Sequence, residues 1–185
     1  MRTLTVFDNL SLDGYFTDAH GDMSWAHTQD AEWLDFTNSN AQGDSALAFG
    51  RVTYEQMAGF WPTPAALKMM PEVARKMNEA EKVVFSRQLK EPSWQNTRAL
   101  NGDLAAEVRK LKKSKGPDVV LMGSGSIVSQ LTAAGLVDEY QLAVHPLVLG
   151  QGRTLFETVK TPVRLELKQS RAFKNGNLVL WYQPA

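Results

Sequence analysis

Val119-Val120-Leu121-Met122-Gly123-Ser124-Gly125-Ser126-Ile127 is four apolar residues, a glycine-rich turn and the start of a helical stripe. A short apolar run closed by glycine reads as a strand buried on both faces. From Ser126 to Ala134, Ile127, Leu131 and Ala134 share one stripe, and Gly135 follows as a stop. The same order occurs earlier in Ala46-Leu47-Ala48-Phe49-Gly50 followed by Arg51-Val52-Thr53-Tyr54-Glu55. Two such units predict a parallel sheet with helices packed on it.

Working outward, the first two thirds of the chain alternate strand and helix. Arg2 to Leu10 reads as a strand and Ser11 to Gly21 as a loop, and Ala31 to Ala41 carries Trp33, Leu34 and Phe36 near helical spacing. Arg51 to Ala58 is expected to be a helix ended by Gly59, followed by a loop at Trp61-Pro62-Thr63-Pro64. Pro71 to Ala80 starts a helix on proline, and Lys82 to Phe85 is a strand. Asp103 to Lys113 places Leu104, Val108 and Leu111 on one stripe, with acids first and bases last as the helix dipole favours. The last quarter changes period. Tyr140, Leu142 and Val144 alternate with Gln141, Ala143 and His145, Val163, Leu165 and Leu167 alternate with Arg164, Glu166 and Lys168, and Asn175-Gly176 signals a hairpin into Asn177 to Tyr182. The expectation is one α/β domain over residues 1–185, with a mixed, mostly parallel sheet and an antiparallel end.

Composition narrows the function. Lys plus Arg and Asp plus Glu number 20 each, so no basic excess points to nucleic acid. There is no cysteine, which excludes disulfides, thiolate nucleophiles and Cys-ligated zinc. His20, His27 and His145 lack metal-ligand spacing, so no metal site is expected. The N-terminus does not read as a signal peptide, and no stretch approaches the ~20 apolar residues of a membrane span. A cytoplasmic protein is expected.

Chemistry concentrates at the two glycine turns. Glycine lets backbone approach a ligand, and the helix that follows offers unpaired N–H groups and a positive dipole end, which suit phosphate. Arg51, Thr53, Ser124 and Ser126 add charge and hydroxyls. Either turn alone could be a tight connection that binds nothing; two in one small domain favour a dinucleotide. Neither is a Rossmann fingerprint, because no third glycine follows Gly125, nor a Walker loop, because no Gly-Lys-Ser/Thr follows. Asp13 in Ser11-Leu12-Asp13-Gly14 and Asp30 ahead of Trp33 are the candidate acids; an ordinary turn and an ordinary first-turn helix acid are the plainer readings of each. His145, in an apolar strand before Pro146, is more simply a core histidine.

These segments resemble the riboflavin-pathway reductase (RibD C-terminal) domain family, which is dihydrofolate-reductase-like. Ser11-Leu12-Asp13-Gly14, Ala48-Phe49-Gly50-Arg51-Val52-Thr53-Tyr54 and Leu121-Met122-Gly123-Ser124-Gly125-Ser126 occur in the family's order, followed by Leu136-Val137-Asp138-Glu139. The run His145-Pro146-Leu147-Val148-Leu149-Gly150-Gln151-Gly152-Arg153-Thr154-Leu155-Phe156 is the most specific part.

The resemblance implies a sheet of about eight strands, NADPH as hydride donor and a homodimer. It implies cofactor contacts from Gly50, Arg51, Val52 and Thr53, and from Gly123, Ser124, Gly125, Ser126 and Ile127. Ser86 and Arg87 would hold the adenosine 2′-phosphate, and Asp13 or Asp30 would act at the substrate end. Ser124 stands where the family commonly has glycine. The implied reaction is NADPH-dependent reduction of a small heterocycle or ribosylaminopyrimidine, such as 5-amino-6-(5-phosphoribosylamino)uracil. A dihydrofolate reductase, or a non-catalytic binding protein that keeps the fold, are the alternatives. No H-x-E with cysteine ligands occurs in these residues, so no zinc deaminase half is expected here.

Overall fold

Leu4, Val6, Asp8 and Leu10 alternate with Thr5, Phe7, Asn9 and Ser11 along the first strand, β1 (Leu4–Ser11). Successive side chains of a strand point to opposite faces, so β1 presents two different surfaces. The computed structural model describes residues 1–41 and 43–185. In chain order the further strands are β2 (Tyr15–Thr17), β3 (Ala46–Gly50), β4 (Lys82–Phe85), β5 (Thr97–Leu100), β6 (Val119–Met122), β7 (Glu139–His145), β8 (Arg153–Thr154), β9 (Leu165–Ala172) and β10 (Leu178–Pro184). The helices are α1 (Ala31–Ala41), α2 (Arg51–Phe60), α3 (Pro64–Met69), α4 (Pro71–Glu79), α5 (Leu104–Lys113) and α6 (Gly125–Ala133).

Eight strands form one sheet in the order β5-β4-β3-β6-β1-β7-β10-β9. The pairs from β5 to β7 are parallel. β10 runs antiparallel to both β7 and β9. This is the expected mixed sheet with an antiparallel end. Its core divides by face. Leu4, Val6, Ala48, Val83, Val119 and Leu121 pack under α5 and α6, through Val108, Leu111, Val128 and Leu131. On the other face Leu47, Phe49 and Val84 pack under α2 and α4, through Tyr54, Val73 and Met77. Trp33 and Phe36 of α1 cover the same face over β7 and β10, meeting Ala143, Val179 and Trp181. Burying a large apolar side chain is worth ~1.5–3 kcal/mol, and these layers hold most of them.

Three local readings are corrected, and the expected C-terminal hairpin is present with a longer loop. Gly59 lies inside α2, which runs on to Phe60. The loop expected at Trp61 to Pro64 ends in a helix start: the Thr63 side chain accepts the Ala66 N–H, and Pro64 occupies the first turn of α3. Inside the expected Ser11–Gly21 loop, Tyr15–Thr17 pairs with Arg153–Thr154 as a small second sheet. Asn175-Gly176 is not a two-residue turn: β9 ends at Ala172 and β10 begins at Leu178, and the loop closes through Phe173 N–H to Asn177 C=O at 2.9 Å. Gly176 supplies the positive φ of 90° that this loop needs.

Candidate active site

The strand order reverses between β3 and β6. From the carboxyl end of β3 the chain leads through α2 to β4 on one side; from that of β6 it leads through α6 to β7 on the other. Such a reversal leaves a crevice at the carboxyl edge, where open α/β sheets place their ligands. α2 and α6 start from this edge on opposite faces, and neither has a side-chain cap. Both first turns therefore carry N–H groups that no capping side chain satisfies, each at the positive end of a helix dipole.

Ser124 ties the two starts together. Its Oγ accepts the Gly50 N–H at 2.7 Å and lies 2.9 Å from Thr53 Oγ1. To do this Ser124 adopts φ +67°, after Gly123 at +59°. A Cβ on Gly123 would lie 3.2 Å from Thr53 Oγ1, so this glycine answers both to its backbone conformation and to close approach. Gly125 has a different reason from the one its motif implied. It is an ordinary helical residue whose missing side chain makes room for Phe16, whose ring would lie 2.6 Å from an added Cβ.

The other expected cofactor residues gather at the same edge. Val52 is exposed on the first turn of α2. Arg51 reaches Glu55 with contacts of 2.8 and 2.9 Å. Ser126 and Ile127 lie in the first turn of α6, and the Ile127 N–H already donates to Ser124 C=O at 2.8 Å. Ser86 follows β4, one residue past Phe85, which pairs with Gly50. Its Oγ accepts the N–H groups of Gln88 and Leu89, forming a turn that presents Arg87 to solvent. Gly50 to Thr53, Ser86 and Arg87, and Gly123 to Ile127 thus lie at the ends of three adjacent strands.

The two candidate acids have different partners. Asp13 receives the Ser11 hydroxyl at 2.7 Å and the N–H groups of Leu149 and Gly150 at 3.1 and 2.7 Å. Those hydrogen bonds, led by Ser11, lower its pKa to about 2 and tie the loop after β1 to the loop after β7. Asp30 caps α1, accepting the Trp33 N–H at 2.9 Å. Asp13 thus accepts on both oxygens, and Asp30 on Oδ1.

At the carboxyl end of β7, His145 pairs through Nε2 with Asn9 Oδ1 at 2.9 Å. Trp25 and Trp33 each meet its ring edge-on, with centroids 5.4 Å away. Burial, with nearby His27 adding to it, pushes the imidazole down to about 4, so it is neutral at pH 7. Asn177 precedes Leu178, the partner of Val144, and so lies beside His145. Sequence reading passed over Asn9 and Asn177. No helix among the described residues is long and apolar enough to cross a membrane, and no group of three metal-ligating side chains occurs among them.

The model of the RibD C-terminal domain matches residues 2–179. The Bacillus subtilis (strain 168) protein YyaP, described as uncharacterized, is 32% identical over 174 residues, covering 94% of this chain and 90% of that one. A second uncharacterized protein of that strain, YwjB, is 23% identical, covering 93% and 92%. Among solved structures, a putative riboflavin biosynthesis protein from Shewanella sp. PV-4 superposes with a TM-score of 0.75 at 20% identity, covering 99% of each chain. The Thermotoga maritima diaminohydroxyphosphoribosylaminopyrimidine deaminase/5-amino-6-(5-phosphoribosylamino)uracil reductase gives 0.69 at 16% identity, covering all of this chain and 57% of that one. These two likenesses establish the dihydrofolate-reductase-like fold.

Proposed function

The chain belongs to the RibD C-terminal domain family, a family of reductases, and from that premise we propose that it is an NADPH-dependent reductase of a small heterocyclic or ribosylaminopyrimidine substrate. The observation that carries this reading is the junction of Gly50, Thr53 and Ser124, which sets two uncapped helix starts side by side where the strand order reverses. That donor set fits a dinucleotide. The first turns of α2 and α6 would hold the pyrophosphate. Arg51 and Arg87 would hold the 2′-phosphate, as guanidinium suits bidentate phosphate contact. Bound there, NADPH supplies a hydride.

The protein's own residues position and exclude. Asp13 fixes the loop rim, Trp33 and Phe173 wall off the substrate end, and the neutral His145–Asn9 pair offers hydrogen bonds without a net charge.

The reading includes a homodimer. Leu178 and Leu180 lie half-buried on the sheet face beyond α5 and α6 and join none of the core clusters, and Leu167 on β9 is 50% exposed. A second copy laid on this face would bury them.

The test of the function is calorimetric titration with NADPH and NADH, followed by absorbance at 340 nm with candidate heterocycles. NADPH binding tighter than NADH, with oxidation dependent on the heterocycle, is the expected result. No affinity for either nucleotide would leave the chain a non-catalytic member of its fold.

A further inference from the structure

Between α1 and α4 the sheet carries a cavity of about 370 Å³. That is at the small end of the ~300–1,000 Å³ of ligand pockets. Its floor includes Phe7 of β1, Val120 and Met122 of β6 and Gln141 of β7, and its walls include the last turns of α1 and α4. Phe7 pairs with Met122, and Gly123 follows. The cavity therefore lies one residue, ~3.3 Å of strand, from the Gly123 turn. A substrate ring held at the crevice would extend its remainder along this floor.

The floor is apolar around one buried amide. Gln141 is 7% exposed, and its side chain meets the Asn40 amide at 3.3 and 3.5 Å. Both contacts are long. A glutamine amide has two donor hydrogens and two acceptor lone pairs, so one of each is left for a ligand hydroxyl. Thr5 and Ser45 line the same cavity with hydroxyls of their own.

Charge decides what the far end accepts. Among the described residues Lys76 is the one cation lining the cavity, and its Nζ lies 3.0 Å from Asp44 Oδ1. Lys82, which starts β4, gives its Nζ to the carbonyls of Met77, Asn78 and Ala80. Glu139 lines the cavity opposite Thr5, and its side-chain partner among the described residues is the Gln183 amide at 3.4 Å, not a cation. The C-terminal turn of α1 adds the negative end of a helix dipole. A phosphate here would face Glu139 and that helix end, and would have to displace Asp44 to gain Lys76. A neutral hydroxyl would donate to the same carboxylate. A like charge placed against the wrong ligand is a common device of specificity.

Resting on the reductase reading above, we propose that this cavity holds the chain that trails from the substrate's ring, and that it takes an uncharged, hydroxyl-bearing chain and rejects a phosphorylated one. The substrate class is then a heterocycle carrying a pentosylamino or similar polyol group. It lacks the phosphate of the 5-phosphoribosylamino compound that the family resemblance implies. Glu139 is the specificity-determining residue, and Gln141 with Asn40 binds the hydroxyls.

The experiment compares 5-amino-6-(D-ribitylamino)uracil with its 5′-phosphate, by calorimetry on the full chain with and without saturating NADPH. The unphosphorylated compound is expected to bind at least tenfold more tightly. Glu139→Gln should bring the two affinities at least fivefold closer, by strengthening the binding of the phosphate. Thr37→Trp, at a half-buried position of α1 on the cavity wall, should weaken the unphosphorylated compound at least tenfold and leave NADPH affinity level. Equal or tighter binding of the phosphate, an unchanged ratio in Glu139→Gln, unaltered affinity in Thr37→Trp, or no binding of either compound would each overturn the proposal. Failure of NADPH to bind would instead remove the reductase reading, and the discrimination between the two compounds would still be read on the cofactor-free protein.

Discussion

Ser124 Oγ accepts the backbone N–H of Gly50 at 2.7 Å, across 74 residues of sequence, and so fixes the start of α2 against the start of α6. The two helices cover opposite faces of the sheet and meet only at this edge. That hydroxyl, with Thr53 Oγ1 at 2.9 Å, ties together the two helix starts between which a pyrophosphate is proposed to lie.

Ser124→Ala removes that acceptor and leaves the Gly50 N–H unpaired, a loss of ~1–3 kcal/mol. The variant is expected to melt lower and to bind NADPH at least fivefold more weakly. Ser124→Gly removes the same hydroxyl but relieves the residue's φ of +67°. It should recover part of the stability and none of the affinity. Thermal denaturation beside calorimetric titration separates the two; recovered affinity in Ser124→Gly would mean that the hydroxyl plays no part.

The two glycines of the turn should respond differently. An added Cβ at Gly125 meets the Phe16 ring at 2.6 Å and the Thr154 carbonyl at 3.2 Å, so Gly125→Val should destabilise the cofactor-free protein by ~1–3 kcal/mol through overpacking. Gly123→Ala meets Thr53 and must hold φ +59°, which disturbs the crevice itself. It should lose NADPH affinity out of proportion to its loss of stability. If Gly125→Val instead keeps its melting temperature and loses cofactor, Phe16 has room to move and the turn tolerates bulk only outside the site.

Cofactor choice should rest on Arg87. It is exposed beside the Ser86 turn, whereas Arg51 is paired with Glu55. Arg87→Ala is expected to reduce the NADPH-to-NADH affinity ratio about tenfold, the loss of one charge-assisted phosphate contact of ~1.5 kcal/mol. NADH affinity should stay level. An unchanged ratio would move the 2′-phosphate away from this loop.

Assembly can be tested on the sheet face. Leu180→Asp places a charge on the surface that β7, β9 and β10 leave half-exposed. The unaltered chain is expected to be dimeric in light scattering at micromolar concentration, and Leu180→Asp monomeric with its circular dichroism intact. A monomeric unaltered chain would refute the dimer.

The architecture was legible because its signals are periodic. Buried runs such as Val119 to Met122 and the alternation from Tyr140 to Val144 each imply one element. The elements that escaped lack periodicity. Thr97–Leu100 reads Thr-Arg-Ala-Leu and is a strand because β4 offers it an edge. Tyr15–Thr17 pairs only because the chain returns at Arg153. The two glycine turns at the carboxyl edge were legible for the same reason as the strands, since glycine marks where each strand ends. The polar row beside them was not. Asn9, His145 and Asn177 come from three separate parts of the sequence, and only the strand order makes them neighbours. The Trp33 N–H on Asp30 matches the plainer helix-start reading of that acid, whereas the Leu149 and Gly150 N–H groups on Asp13 come from a loop that carries no such signature.

Two buried groups should shape stability against pH in opposite directions. Asp8 shares the face of Val6 and Leu10, is 2% exposed, and has no partner for Oδ2 among the described residues. Burial raises its pKa from 3.8 to about 8. Between these values unfolding releases a proton, so stability falls as pH rises through that window, by up to ~1.4 kcal/mol per unit. His145 is lowered from 6.5 to about 4, chiefly by burial. Between those values unfolding takes up a proton, so its contribution is lost as pH falls from 6.5 to 4. From pH 4 to 6.5 the two slopes oppose each other; between 6.5 and 8 the Asp8 slope dominates, and above about 8 Lys82, whose pKa burial lowers from 10.5 to about 8, adds an opposing slope because unfolding then takes up its proton. Melting temperature is therefore expected to decline between pH 6.5 and 8. Asp8→Asn should abolish that decline and melt higher than the unaltered chain at pH 8. Scanning calorimetry from pH 5 to 9 checks it. A variant that melts lower at every pH would mean that the Asp8 carboxylate is ionised in the fold and has a partner.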